Sequence, residues 1–546
     1  MGEGDTIFAL SSARGKAGLC VIRVSGSRAR VAVAALTGSG VPEPREATLR
    51  RFVDGSGEPI DRGLVLWFPS PHSFTGEDVA EFHAHGSRAV VAALVARLGQ
   101  LNGLRPAEAG EFTRRAFARG KFDLTEAEGL ADLIDAETEQ QRRQALRQMD
   151  GGLRERYERW REALIKTLAH LEAVIDFSEE DLPGDLFERV SASALELKGE
   201  IDRHLSDGRR GEIVRDGFSI VIVGAPNVGK SSLLNALAAR DVAIVTATAG
   251  TTRDLIEVDL DLGGYRVTLV DTAGLRETSD EIESEGIARA RRRAAHADMR
   301  IAVIDATAPA IDELVAGALI AGDLVVANKI DLASVSHESE NVETTAIESD
   351  VVDDFVARES GEELRSDAIA PHDVSVESAL ESDMSESDPL SSDANEEADS
   401  VARESDDKGD TPSPDDRGAP LSDDRDAGSL GAMTCDVSDA LSLPIVRISA
   451  RDGTGIGQLL SYLTEQVVAR TGGSEAPPLT RLRHRRALEA ASEALARAAG
   501  NLNETRAMDL AAEDLRLAGR EIGRITGRVD VEDLLDVIFR DFCIGK

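Results

Sequence analysis

An α/β domain with a parallel sheet, set inside an all-α helical domain and preceded by an α+β domain, is the fold the sequence predicts. Three observations predict it. Between residues 218 and 334, short apolar strands alternate with helical segments, as in a parallel sheet with crossover helices. On either side, at 125–209 and beyond 478, long Ala/Leu/Glu/Arg runs with few breakers read as helices. Residues 5–120 mix strands with helices.

Taken in order, Thr6-Ile-Phe-Ala opens a strand, Val21–Val24 and Gly63–Phe68 form two more, and Ala89–Leu101 is a helix. The predicted strands of the α/β domain are Phe218–Val223, Tyr265–Val270, Arg300–Asp305 and Leu324–Ala327, and the alternation stops at Asp331-Leu332. From 335 to 440, Phe355 is the only aromatic, Val-Ala-Arg-Glu-Ser occurs at 356 and 401, and Glu-Ser-Asp recurs four times. Such a low-complexity stretch buries too little apolar surface to offset its ordering entropy, so it is expected to be a disordered acidic insert. Leu443–Ile448 resumes the strands, a helix starts at Ile456, and a Gly/Ser/Pro linker at 472–478 leads to the last helices. The expected domains are 1–121, 122–212 with 472–546 (helical), and 213–334 with 441–471 (α/β), the insert being 335–440.

The net charge of −38 is concentrated: residues 335–440 hold 32 acidic and 6 basic side chains. The acidity therefore says little about partners of the rest. No apolar run reaches the roughly 18 residues of a membrane span. Three cysteines, Cys20, Cys435 and Cys543, suit a reducing, cytoplasmic location better than a disulfide framework. Only eight of the 62 basic residues are Lys. A retained Lys therefore marks a place for a compact ammonium, as expected of Lys121, Lys230, Lys329 and Lys546.

Gly224-Ala-Pro-Asn-Val-Gly-Lys-Ser231 matches G-x4-G-K-[ST] between an apolar strand and the helix predicted at Ser231–Ala239. There the glycines let backbone N–H groups wrap phosphates, and the helix dipole favours anions. Asn227, Val228, Gly229, Lys230, Ser231 and Ser232 are the expected phosphate-side residues. Lys230 reaches the terminal phosphates and the Ser231 hydroxyl is placed for Mg2+. Asp271-Thr272-Ala273-Gly274 ends the next strand, where an Asp holds the metal through water and a glycine amide senses the terminal phosphate. Asn328-Lys329-Ile330-Asp331 ends another. The Asp331 carboxylate suits the N1 and N2 donors of guanine, a pair that adenine lacks. Ser449-Ala450, at the end of the last strand, suits the guanine O6. These motifs, in this order at strand ends, define a GTP/GDP site in a Ras-like P-loop GTPase domain. Gly250-Thr251-Thr252-Arg253-Asp254 falls where the first switch loop belongs, with Thr252 the second candidate Mg2+ hydroxyl; the preceding Thr246, Ala247, Thr248 and Ala249 complete the expected nucleotide-binding stretch.

Leu275 occupies the position where many small GTPases carry a water-orienting Gln. Another group must serve. Arg276, Glu277, Asp280, Glu281 and Glu283 follow closely, and spacing alone does not choose among them.

Asn227 in the phosphate loop, Gly-Thr-Thr-Arg-Asp at 250–254, Asp-Thr-Ala-Gly-Leu-Arg at 271–276 and the terminal Cys543-Ile-Gly-Lys546 together resemble the MnmE/TrmE family. Phe74-Thr-Gly-Glu-Asp78, Ala107–Phe112 and Lys121–Leu124 extend the resemblance to the N-terminal region, so that it covers all but 335–440. The resemblance implies a homodimer formed through a tetrahydrofolate-binding N-terminal domain (5,10-methylene or 5-formyl form). Arg23, Glu81, Lys121 and Lys546 match the folate positions. It implies K+ bound by Asn227, Thr246, Thr248 and Thr251, with G-domain dimerisation stimulating hydrolysis. Glu283 matches the family's water-activating acid, and Cys543 a functional cysteine. The family works with an FAD-containing partner, MnmG, in a hetero-oligomer. It places an aminomethyl or carboxymethylaminomethyl group on carbon 5 of the wobble uridine of certain tRNAs. One departure is the 117 residues between Asp331 and Ser449. Loop closure costs only roughly 0.6 kcal/mol per doubling of length, so the fold tolerates them.

Two basic or imidazole clusters have open readings. His83-Ala-His85 puts two imidazoles on one strand face, a weak metal signal without a third ligand. Arg481-Leu-Arg-His-Arg-Arg486 reads either as an RNA-backbone contact or as a solvated helix start. The competing function is a ribosome-assembly or signalling GTPase that only switches partners. Such a protein has no use for the folate-like motifs or the terminal Cys-Ile-Gly-Lys.

Overall fold

The computed structural model describes residues 5–176, 186–207, 209–240, 242–244, 257–271, 296–333 except 312, 443–472, 477–505, 507–529, 535, 538–540, 542, 544 and 545. The insert expected at 335–440 lies outside them.

The N-terminal region folds around a six-stranded sheet. Its strands are β1 (Thr6–Leu10), β2 (Ala17–Ser25), β3 (Thr48–Val53), β4 (Pro59–Phe68), β5 (Val79–Gly86) and β6 (Leu104–Pro106), in the order β3-β4-β5-β2-β1-β6. Period-two alternation buries Cys20, Ile22 and Val24 of β2 on one face. Helices α1 (Ala29–Thr37) and α2 (Arg88–Gly99) cover that face with Val33, Leu36, Leu94 and Leu98. The next helix, α3 (Glu111–Ala118), leads into the helical region.

That region comprises α4 (Leu124–Asp135), α5 (Glu139–Met149), α6 (Gly152–Asp176), α7 (Leu186–Leu205) and α8 (Arg210–Asp216). Asp123 and Glu126 form a reciprocal capping box that starts α4. Two later helices return to the same core: α12 (Leu482–Gly500) and α13 (Met508–Thr526). Tyr157, Trp160 and Leu164 of α6 share one apolar cluster with Leu488, Leu495, Leu515 and Ile522. Each buried Leu or Ile contributes roughly 1.5–3 kcal/mol, which offsets the entropy of closing so long a connection.

Of the basic run at 481–486, Arg481, Arg483, His484 and Arg485 face carboxylates inside the protein, whereas Arg486 is exposed. Arg483 clamps Glu128 with Nε at 2.7 Å and Nη2 at 2.8 Å, and Arg481 Nη2 meets Asp132 at 2.7 Å. Arg485 Nε meets Glu212 at 2.9 Å, and His484 Nε2 stands 3.0 Å from Glu128 Oε2. The side chains of His484 and Glu128 are 0% and 2% exposed. Burial alone would raise the Glu128 pKa, but Arg483 and His484 outweigh it and hold the carboxyl well below the usual range. Burial, aided by Arg483, depresses His484 to about 4. These four side chains form an internal buttress, and Glu128, Asp132 and Glu212 bring α4 and α8 to it.

Between α8 and α12 stands the α/β domain. Its strands β7 (Phe218–Val223), β8 (Glu257–Leu262), β9 (Tyr265–Asp271), β10 (Met299–Asp305), β11 (Leu324–Asn328) and β12 (Ile445–Arg447) lie in the order β12-β11-β10-β7-β9-β8. Helices α9 (Lys230–Ala238), α10 (Glu313–Ala316) and α11 (Ile456–Thr471) accompany them. All neighbouring strands are parallel except β8 and β9, which form a hairpin. The sequence reading lacked β8. Its signal was the alternation of Val258, Leu260 and Leu262 before Gly263-Gly264, whose φ angles of 64° and 85° suit a two-residue turn. Chain order reverses at β7, which pairs with β10 on one side and β9 on the other. Such a switch point opens a ligand crevice at the carboxyl ends of the strands.

Candidate nucleotide site

The loop from Gly224 to Lys230 crosses the crevice at the end of β7. Its shape depends on backbone that few side chains tolerate. Asn227 has φ 65° and Gly229 φ 99°. A Cβ on Gly229 would sit 2.2 Å from Asn328 Nδ2, and one on Gly224 2.4 Å from the Val303 carbonyl oxygen. Only glycine permits these approaches. Lys230, 7% exposed, donates from Nζ to the Gly224 and Ala225 carbonyls at 2.8 and 2.9 Å. Both carbonyls are neutral acceptors, so an arriving phosphate competes with them through a stronger, charge-assisted contact. Val228 is buried, whereas Asn227, Ser231 and Ser232 face solvent.

Ser231 Oγ donates to Asp271 Oδ2 at 2.8 Å, and Asp271 is fully buried. A hydroxyl and a carboxylate at the head of α9 are hard oxygen donors, and they fit Mg2+. When bound, that ion neutralises phosphate charge.

At the other end, Asn328 acts as a tie. Its Nδ2 donates to the Val228 carbonyl at 2.9 Å, and its Oδ1 accepts from the Ala450 amide at 3.0 Å. It thereby joins the phosphate loop to the Ser449-Ala450 loop. Ser449, fully buried, donates from Oγ to Asp331 Oδ1 at 2.8 Å. Asp331 itself is exposed. Lys329 has φ 67° and its Nζ meets Asp305 Oδ2 at 2.7 Å. Hydrogen bonds from Lys329 and Thr307 lower the Asp305 carboxyl to about 2. Sequence reasoning missed Asp305; its position at the end of β10, opposite Asn328 in the β10–β11 register, was the available signal.

Thr246, Ala247, Thr248, Ala249, Gly250, Thr251, Thr252, Thr272, Ala273, Gly274 and Glu283 lie outside the described residues, as do Cys543 and Lys546.

In the N-terminal region the structure brings Arg23 and Glu81 together. They are direct cross-strand partners on β2 and β5, with Arg23 Nε at 2.9 Å from Glu81 Oε1. The Arg23 guanidinium lies 5.1 Å from the Phe74 ring centre and 5.8 Å from that of Phe112. Phe122, next to Lys121, packs on Phe74 at 5.5 Å. The chain's far end also arrives here. Ile544 bridges to Ala109, and Ser11 Oγ donates to the Gly545 carbonyl at 2.9 Å. Ser11 follows β1, whose Ala9 pairs with Arg23. His83 and His85 face Glu81 and Asp61 at 3.4 and 2.9 Å. Among the described residues no cluster of three or more His, Cys, Asp or Glu could hold a metal.

The strand order, the glycine-lined loop after β7 and the Asn328–Asp331 and Ser449-Ala450 segments at the same end of the sheet belong to the P-loop GTP-binding class. Comparison with known proteins narrows the class. A family model for the GTP-binding protein TrmE N-terminus matches residues 6–121, and one for the MnmE helical domain matches residues 124–543. The tRNA modification GTPase MnmE of Paramagnetospirillum magneticum is 46% identical over 543 residues, covering 99% of this chain and 100% of that protein. The protein of the same name from Parvibaculum lavamentivorans is 46% identical over 545 residues, with 99% and 100% covered. The mitochondrial 5-taurinomethyluridine-tRNA synthase subunit GTPB3 of Danio rerio is 44% identical over 548 residues, with 99% and 93% covered. The chain belongs to the MnmE/TrmE family.

Proposed function

We propose that the chain hydrolyses GTP as part of tRNA modification. One observation carries the nucleotide reading: Asn328 holds the phosphate loop and the Ser449-Ala450 loop in one hydrogen-bonded unit. Base and phosphate recognition therefore form at one place. In this reading Lys230 binds the terminal phosphates and Ser231, with Asp271, holds Mg2+. Asp331, pre-set by Ser449, accepts from the guanine edge. The tRNA part rests on relatives named for tRNA modification in bacteria and in a fish mitochondrion.

Thr252 adds a second Mg2+ hydroxyl. Asn227, Thr246, Thr248 and Thr251 hold K+ as two G domains meet, and Glu283 activates the water. Arg23, Glu81, Lys121 and Lys546 bind a tetrahydrofolate one-carbon carrier, with Cys543 beside it. The protein is a homodimer and acts with MnmG on carbon 5 of the wobble uridine. Ala9 pairing with Arg23, and Gly545 held at Ser11, support a folate site that includes the chain's C-terminal end.

The test compares GTP and ATP hydrolysis in K+ and Na+ buffers. The reading expects GTP selectivity and faster turnover in K+. Equal uptake of ATP would overturn it. Glu283→Ala is expected to leave GTP affinity unchanged and to slow turnover; wild-type turnover would remove Glu283 from the mechanism. Loss of the wobble modification in a strain lacking the gene, restored by the wild-type chain, separates modification chemistry from a pure partner switch.

A further inference from the structure

Away from the nucleotide crevice, the helical region meets the β8–β9 hairpin. Gln140 N donates to the Gly264 carbonyl at 3.0 Å there, and Arg266 pairs with Glu137 at 3.1 Å. Beside these contacts lies a cavity of about 610 Å3, walled by α5–α8, Tyr265 of β9 and the 477–480 segment.

The lining is strongly cationic. Arg143, Arg147, Arg156, Arg159, Arg203 and Arg210 contribute six guanidinium groups, against the carboxylates of Glu200 and Asp207. Glu200 accepts from Trp160 Nε1 at 2.7 Å and Asp207 faces Arg485 at 3.5 Å, and both also act on Arg156, so two carboxylates offset part of six guanidinium charges. Arg147, Arg159 and Arg210 make no ion pair among the described residues, and Arg143 is the one held by a nearby carboxylate, Glu139, at 2.7 Å. Arg156, half-buried, donates from Nη1 to His204 Nδ1 at 2.6 Å. His204 is buried, and burial together with Arg156 depresses it to about 3, so it is a neutral acceptor. An excess of guanidinium groups over carboxylates around a concave wall focuses a positive potential.

The buried wall carries orphans as well. Thr480 Oγ1, a hydroxyl that can donate to an anion, has no hydrogen-bond partner in a residue 1% exposed, and Gln148 Oε1, an acceptor that needs a donor such as water, has none in a residue 2% exposed. Unmet buried polar atoms cost roughly 1–3 kcal/mol each, and they call for a polar occupant.

We propose that this cavity is a second anion site, separate from the phosphate loop, that binds the phosphate oxygens of an RNA backbone or of a free polyphosphate. Arginine forks match phosphate oxygens in pairs. Arg156 and Arg210 form the inner wall, and Arg147 and Arg159 the solvent-facing rim. The site does not depend on the folate or K+ readings, nor on which tRNA is modified.

The test uses the full chain with Mg–GDP saturating the phosphate loop. Tripolyphosphate and unfractionated tRNA are titrated separately, with tryptophan fluorescence as the readout. The chain has two tryptophans, and Trp160 lines the cavity. Binding of tripolyphosphate identifies a free polyphosphate, and binding of tRNA alone identifies an RNA backbone. The Arg147→Gln/Arg210→Gln double variant is expected to weaken binding at least about tenfold and to flatten the salt dependence by roughly 0.7–0.9 in log–log slope per lost contact. Trp160→Phe should abolish the signal change. Unchanged GDP affinity in each variant certifies the fold. Arg156→Gln is a second probe of the inner wall. Binding by neither ligand, or equal affinity and salt slope in the double variant, overturns the site.

Discussion

The phosphate loop and the Glu128 cluster both gather charged side chains at low exposure, yet they are built in opposite ways. Lys230 is held at 2.8 and 2.9 Å by backbone carbonyls of its own loop. Arg483 is held at 2.7 and 2.8 Å by a carboxylate 355 residues away. The carbonyls at the first cation are neutral and lie in its own loop, where a phosphate can compete with them. The second is spent on a largely buried ion pair, and its value is structural. A basic residue is open to a ligand when its partners are local and neutral, and closed when they are distant and anionic.

Mutations sharpen that contrast. Glu128→Ala leaves Arg483 without its carboxylate and the buried His484 without its acceptor, while Arg481 keeps Asp132, and breaking such a largely buried pair costs about 3–5 kcal/mol. Denaturant unfolding should register this loss in the helical region, and an unchanged midpoint would show the cluster to be dispensable. Lys230→Ala should leave unfolding nearly unaltered and weaken GTP binding roughly 10–100-fold, by removing a charge-assisted contact of about 1.5–3 kcal/mol. Unchanged affinity by calorimetry would contradict the role given to this lysine. Asp331→Ala is expected to act more narrowly, eroding the preference for GTP over ATP while triphosphate binding persists; competition binding measures it.

The cluster also has a pH signature. His484 is depressed to about 4 and His204 to about 3, chiefly by burial in each case. Unfolded histidines titrate near about 6.5, so the unfolded chain binds more protons below that pH. Stability is thus full above about 6.5 and lost as pH falls towards 4 and then 3. Glu128, also depressed, acts in the same direction as pH drops below the ordinary carboxylate range. His484→Gln should reduce the slope of stability between pH 6.5 and 4 by a modest amount, and an identical slope would remove His484 as its source.

The same contrast explains what was legible in the sequence. The phosphate loop was readable because its geometry is written in consecutive residues: Gly224, Gly229 and Lys230 fall within seven positions. Asn328, Asp331 and Ser449 were readable because each ends a strand of recognisable composition, although 117 residues separate the last two. Arg481–Arg486 resisted reading because Glu128, Asp132 and Glu212, which decide its environment, are remote in the chain. The β8 strand was overlooked because Glu257, Asp259 and Asp261 dilute its apolar alternation. The meeting of Gly545 with Ser11 carries no local sequence signal, since it depends on a contact across 534 residues.

Helices α6 and α7 complete their core with α12 and α13, which the ribosome makes only after the whole α/β domain and the insert. At roughly 5–20 residues per second, the apolar faces of Tyr157, Trp160 and Leu164 wait on the order of tens of seconds for Leu488 and Leu515. During that interval the nascent chain carries a finished or nearly finished nucleotide-binding unit above an open helical cradle. Chaperone demand should therefore peak midway through translation, and lengthening the insert should prolong it without altering the native core.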